Sequence, residues 1–164
     1  EKNWRRTVSL PLVKVMVRCS DAYIAIGTRA REYFTYLGAK PEKIFIAHST
    51  VDVEYFRNKS NMLKEKRDKL KEKMGIKTEK VIMYSGQLIE RKGLFYLLQA
   101  YKELRKNYEE VSLLIVGYGP QENRLKGICK EENIQNVFFT GFIEYNNLPR
   151  YYVISDLFVL PSFE

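Results

Sequence analysis

Two runs, KVIMYS at 80–85 and VSLLIV at 111–116, are apolar along almost their whole length. A strand with one wet face alternates apolar and polar side chains, whereas a continuously apolar strand is covered on both faces. Between them, LFYLLQAYKELRKNY (94–108) sets Leu94, Leu97, Leu98, Tyr101 and Leu104 at helical spacing. Covered strand, amphipathic helix, covered strand: that order restricts the chain to right-handed βαβ units in a parallel sheet. The pattern continues downstream. GYGPQENRLKGICKEEN reads as a helix with Pro120 suited to its first turn, and NVFFT (136–140) as a third strand. NLPRYYVISD (147–156) reads as a short helix and LFVLP (157–161) as a fourth strand. The predicted class is α/β, a parallel sheet with flanking helices.

Residues 1–52 repeat the pattern on a smaller scale. Leu10–Arg18 is predicted helical, AYIAI (22–26) a strand, TRAREYFTYLG (28–38) a helix ended by Gly38, and KIFIAH (43–48) a strand. An apolar face that includes Val13, Val17, Ile24, Ile26 and Phe34 is expected to be buried. A polar, basic stretch at 53–79 divides this part from 80–164 and reads as a linker or helix. The chain of 164 residues carries a formal charge of +8. Arg57–Lys80 holds ten Lys or Arg against four acids, a net of +6. The structural reading is a solvated helix with Glu65 and Lys69 paired at i,i+4. The functional reading is attraction to anionic lipid or nucleic acid. Nucleic-acid binding would call for aromatic or base-reading groups among the charges, and the stretch has none.

Several chemistries are pruned. No run of eighteen apolar residues predicts a membrane span. The start lacks the signal-peptide pattern, so a cytoplasmic location is expected. Cys19 and Cys129 fit no metal or redox spacing and read as two buried free thiols. His48, the only histidine, follows an apolar strand and reads as structural. No G-x-x-x-x-G-K-[ST] is present, GYGPQE has Glu122 where a dinucleotide fingerprint has its third glycine, and no G-x-S-x-G occurs. A metal site built on several histidines is not expected.

What remains is a repeated feature. Gly86 follows the first of the four later strands, Gly117 and Gly119 the second, Gly141 the third, and Pro161-Ser162 the fourth. In a parallel sheet all four loops share one edge, where open α/β sheets bind ligands. The first loop also carries Arg91 and Lys92 at the start of the helix near Gly93. Backbone N–H groups, a helix dipole and two cations make an anion clasp suited to phosphate. Glycine after a strand is also ordinary turn chemistry.

SGQLIERKGLFYLLQAYKEL, LLIVGYGP and VFFTGFIEYNNLPRYYVISDLFVLPS together resemble the nucleotide-sugar domain of the family-4 retaining glycosyltransferases, enzymes of the GT-B fold with two Rossmann-like domains. IGTRAREYFTYLGAKPEKIFIAHSTVDVEYF resembles the segment that ends their first domain. The resemblance implies that 1–52 is the end of an acceptor domain and 80–164 the first part of a nucleotide-sugar-binding domain. It implies a donor-phosphate role for Gly86, Gln87, Arg91 and Lys92. Lys92 matches the family lysine, while Gln87 stands where the family has arginine. It implies a nucleotide role for Gly117, Gly119, Gly141, Phe142 and Ile143, and places Ser162 and Glu164 near the donor sugar. Ser49-Thr50-Val51-Asp52 departs from the family's Asn-Gly-Val-Asp. The family's Glu pair begins about one place past Glu164, so its catalytic residues are not assigned in this chain.

The implied parent enzyme transfers a hexose from a UDP- or GDP-linked sugar to a saccharide or lipid-linked acceptor with retention, and uses no metal or other cofactor. This chain alone is expected to be inactive in transfer and to self-associate as a dimer. Two other readings stay open: a non-catalytic nucleotide-binding module, and a basic domain that contacts anionic membrane or nucleic acid.

Overall fold

A computed structural model describes residues 4–163, with side chains described from residue 9 onward. The chain forms two compact units that divide between Asp52 and Val53.

In the first unit, α1 (Trp4–Arg18) precedes β1 (Tyr23–Ala25), α2 (Thr28–Leu37) and β2 (Ile44–Ile46). β1 and β2 pair in parallel, with Ile24 opposite Phe45. Gly38, at φ 104, ends α2, and its N–H and that of Ala39 return to Thr35 and Phe34 carbonyls. Val17, Tyr23, Ala25, Leu37, Ala39 and Ile44 form the core, with Val13 and Phe34 packed at its margin. The Tyr23 hydroxyl donates to the Val17 carbonyl. Ile24 and Ile26, expected inside, are 71% and 69% exposed. The reason is the pleat. Tyr23 and Ala25 take the face under the helices, so their neighbours in sequence point the other way. Cys19 is exposed rather than buried, because it lies in the turn just after α1; Cys129 is half-buried, and both thiols are free.

The second unit opens with α3 (Val53–Leu63) and α4 (Arg67–Lys73), so the basic stretch is helical. β3 (Lys80–Ser85), α5 (Leu94–Leu104), β4 (Val111–Val116), α6 (Glu122–Glu131), β5 (Val137–Phe139), α7 (Leu148–Ile154) and β6 (Leu157–Phe158) follow. The strands pair in parallel in the order β5-β4-β3-β6. Pro120 lies in the turn before α6, and Pro149 occupies a first helical turn instead, that of α7. The fourth strand stops at Phe158, well short of Pro161.

Both faces of the sheet are covered where β3 and β4 run, which explains their unbroken apolar sequence. Tyr84, Leu113 and Ile115 pack with Leu94, Leu97, Leu98 and Tyr101 of α5 and Leu125 of α6. Val81, Met83, Leu114 and Val116 pack with Ile76, Ile154 and partly buried Leu70 and Met74. Each such aliphatic side chain contributes about 1.5–3 kcal/mol on burial. Ser112, nearly fully buried, is satisfied by a 2.6 Å hydroxyl pair with Thr78.

The basic stretch is more than a solvated face. Arg67 donates from Nη2 to both Asp156 oxygens at 2.9 Å and to the Ile154 carbonyl at 3.2 Å. Asp156 also accepts the Val81 N–H at 2.8 Å, so one carboxylate joins α4, β3 and the turn into β6. The Lys71 ammonium is buried against the Thr78 and Glu79 carbonyls at 2.6 and 2.9 Å. Phe56 of α3 meets Tyr145 and Tyr152 edge-on at 5.2 and 5.8 Å, which holds α3 to α7. The expected Glu65–Lys69 pair is not among the ion pairs of the described residues. Glu65 sits in a short 3-10 turn that breaks helical spacing before α4 begins. No helix among the described residues is long and apolar enough to cross a membrane.

Candidate functional site

Because the four strands run parallel, the loops that leave them lie along one edge. They are knitted together by main chain. Gly86 N–H donates to the Val116 carbonyl and Leu88 N–H to that of Tyr118, both at 2.9 Å. Gln121 N–H returns to Leu88 at 3.1 Å, and Gly117 N–H reaches Gly141 at 3.0 Å. Phe163 N–H donates to the Arg91 carbonyl at 3.2 Å, which joins the loop after β6 to the one after β3.

Two glycines make this possible. A Cβ on Gly117, whose φ is 135, would overlap the Gly86 carbonyl. One on Gly119 would lie 2.5 Å from the Leu88 oxygen. Their bare backbone is therefore used first to let loops approach each other. Gly141 differs, since nothing lies within 4 Å of the place its Cβ would take.

Arg91 and Lys92 occupy a 3-10 turn, Glu90–Lys92, that Gly93 leads directly into α5. Arg91 is exposed and Lys92 half-buried. Neither side chain makes a hydrogen bond or ion pair among the described residues. Elsewhere the unit pairs its cations readily, as Arg67–Asp156, Lys102–Glu132 and Lys126–Glu122 show. Two adjacent unneutralised cations beside a helix start form a positive pole at the sheet's carboxyl edge. Gln87 is exposed next to them. Its carbonyl accepts the Tyr84 hydroxyl at 2.8 Å, and burial raises the Tyr84 pKa, so the phenol stays a donor and braces the loop.

Phe142 is 67% exposed and meets Tyr118, 55% exposed, edge-on at 5.5 Å. Tyr118 was not singled out from sequence. It lies between the two glycines of GYG, and only loop packing sets its ring against a residue from the next strand's loop. Ile143 turns inward and packs against the cluster under α7, so its side chain faces away from the mouth. Ser162 is exposed in the fourth loop, and Glu164 lies outside the described residues. His48 is exposed beyond β2 in the first unit. Among the described residues, no three His, Cys, Asp or Glu side chains group so as to hold a metal ion. A larger cleft, about 570 Å³, lies at the opposite edge between the strand starts and carries none of these residues.

Residues 66–164 match the family model described as "Glycosyl transferases group 1". The chain belongs to the group 1 glycosyltransferases. Among curated members it is 30% identical over 96 residues to the GDP-mannose-dependent alpha-(1-6)-phosphatidylinositol monomannoside mannosyltransferase of Mycolicibacterium smegmatis, covering 58% of this chain and 25% of that protein. It is 24% identical over 147 residues to the alpha-D-kanosaminyltransferase of Streptomyces kanamyceticus, covering 89% of this chain and 38% of that one. The chain thus spans a quarter to two fifths of the length of these relatives. The structure of Anabaena HepE in complex with UDP-glucose superposes with a TM-score of 0.71 at 20% identity over 94% of this chain and 42% of that one. A glycosyltransferase from Rickettsia africae superposes with a TM-score of 0.75 at 19% identity over all of this chain and 43% of its own. Both neighbours establish the fold of this group 1 domain as GT-B, in line with the sequence reading.

Proposed function

We propose that this group 1 domain binds the diphosphate of a nucleoside diphosphate sugar at the carboxyl edge of its four-stranded sheet. In this reading it serves an enzyme that moves a hexose to a saccharide or lipid-linked acceptor with retention. The observation that carries the proposal is the unpaired Arg91–Lys92 turn at the one edge where all four loops converge. A relative named for GDP-mannose and a structural neighbour solved with UDP-glucose support the ligand class.

In the proposed mechanism Lys92 and Arg91 meet the two phosphates, and the open backbone at Gly141 and Phe142 meets the base. Tyr118 offers a ring edge or face to the same base. As the bond between sugar and diphosphate breaks, negative charge grows on the leaving phosphate, and fixed cations stabilise it. Two cationic side chains already placed there can do this without a divalent ion, so donor binding is proposed to be metal-independent.

Calorimetric titration of UDP and GDP into the chain in EDTA tests the reading. Saturable binding of one of them is expected. Binding that appears only after Mg²⁺ or Mn²⁺ is restored overturns metal independence, and no binding in either condition overturns the donor site.

A second reading has its own observation. Arg57, Lys59, Lys64, Lys66, Lys69, Lys73 and Lys77 remain exposed on the stretch 57–77, alongside Met62 at 70%. A peripheral contact with anionic membrane fits that surface. Sedimentation with phosphatidylglycerol vesicles, expected to be lost as salt rises, distinguishes it from donor binding.

A further inference from the structure

Behind the cationic turn, on the helix side of the loops, a separate cleft of about 220 Å³ opens between the first turns of α5 and α6. Its walls are Phe95, Tyr96 and Phe163, with Glu90, Gln121 and Arg124 among them. The rings stand edge to face: Phe95 to Tyr96 at 5.5 Å and Tyr96 to Phe163 at 5.9 Å. The Tyr96 ring is 63% exposed. Glu90 and Arg124 line one cleft, yet they form no ion pair with each other or with any other described residue. A carboxylate, a guanidinium and a primary amide are therefore all free beside an aromatic wall.

We infer that this cleft is a saccharide-binding subsite distinct from the donor clasp. Aromatic faces carry negative charge and attract the polarised C–H face of a pyranose. Carboxylate, guanidinium and amide each present paired acceptors or donors in one plane, which match adjacent ring hydroxyls. Glu90 and Arg124 supply one acceptor group and one donor group, so a neutral polyol is matched better than a charged ligand. The volume suits one sugar ring rather than a nucleotide sugar.

The cleft also touches the clasp. Glu90 is the first residue of the turn that holds Arg91 and Lys92, and Phe163 donates its N–H to the Arg91 carbonyl. A sugar seated between Glu90 and Phe163 contacts the residue just before the cations and the residue bonded to the Arg91 main chain. It is positioned to report acceptor or product occupancy to the donor loop. Saccharide binding here does not depend on the clasp and would survive its loss.

Saturation-transfer and amide chemical-shift NMR on the whole chain test this with methyl α-D-glucopyranoside, methyl α-D-mannopyranoside and maltotriose at millimolar concentration. At least one sugar is expected to show transfer, with shifts centred on Tyr96, Arg124 and Phe163. Tyr96→Ala and Arg124→Ala, both at exposed positions, are each expected to cut the transfer by about five-fold, the scale of one lost ring or charged contact. Both are expected to keep the wild-type far-UV spectrum and the affinity for whichever of UDP and GDP the chain binds. Lys92→Ala is expected to weaken that nucleotide and leave the sugar signal intact. No transfer from any of the three sugars overturns the inference. So does transfer that survives both cleft variants. A sugar signal lost in Lys92→Ala also overturns it, because the cleft would then belong to the donor site.

Discussion

Lys92 is the side chain on which the proposed donor site depends most. A charge-assisted hydrogen bond contributes about 1.5–3 kcal/mol. Lys92→Ala is therefore expected to weaken nucleoside diphosphate binding by roughly ten-fold or more, at about 1.4 kcal/mol per decade. Calorimetry checks this, and an unchanged affinity removes the clasp. A matched glycine pair separates frame from filler. Gly117→Ala drives a Cβ into the Gly86 carbonyl at a positive φ and is expected to lower the melting temperature and abolish binding. Gly127→Ala, inside α6 with nothing within 4 Å, is expected to stabilise by up to about 1 kcal/mol. The turns that carry Lys92 and the glycines could be placed from sequence because each lies in the loop that leaves an apolar strand. Tyr118 and the Tyr84 hydroxyl could not. Their roles arise when loops distant in sequence fold against each other, and no local pattern marks that.

Among the elements, α5 is fastened at both ends by groups of different kind. At its start Gly93 turns from the cationic loop, and toward its end the Tyr101 hydroxyl, nearly fully buried, meets the carbonyls of Val111, Gln135 and Asn136 at 2.9, 3.2 and 3.2 Å. Burial pushes the Tyr101 pKa up to about 12. The folded state thus holds this proton where the unfolded chain, near pH 10, gives it up. Stability from the group is complete below about pH 10 and is expected to fall as pH rises toward about 12. Tyr101→Phe is expected to cost about 1 kcal/mol at neutral pH and to flatten that alkaline loss, which urea melts from pH 8 upward can follow. β3, β4 and α5 could be placed from sequence because their periods are strong and their lengths ample. The fourth strand was overextended because LFVLP is apolar throughout, yet only Leu157 and Phe158 find a partner, on β3. Hydropathy reports burial preference, not which backbone groups have a neighbour to bond.

On the scale of the whole molecule, the exposed apolar side chains are unevenly distributed. Ile24 and Phe45 stand opposite each other on one open face of the small first sheet, at 71 and 61% exposure, and Ile26, just past β1, is 69% exposed. Contiguous apolar area of this kind recruits a partner. The isolated chain is expected to show reversible self-association at tens of micromolar, and Ile26→Lys is expected to reduce it; a wild-type monomer in sedimentation at several concentrations refutes the expectation. Which residues make up that apolar set is legible in the sequence, but its sides are not, since the pleat decides which members meet the helices. The carboxyl edge of the second sheet shows the opposite economy. Its loops are joined through N–H and carbonyl groups that every residue type except proline supplies, so mutation at exposed positions leaves the joints standing. Such a mouth is tolerant of drift. Relatives named for mannose and for kanosamine are 30% and 24% identical to this chain over the stretches they share with it. For an engineer testing the proposed donor site, Gln87, Tyr118 and Phe142 become the positions to randomise, and Gly117 and Gly119 the ones to hold fixed.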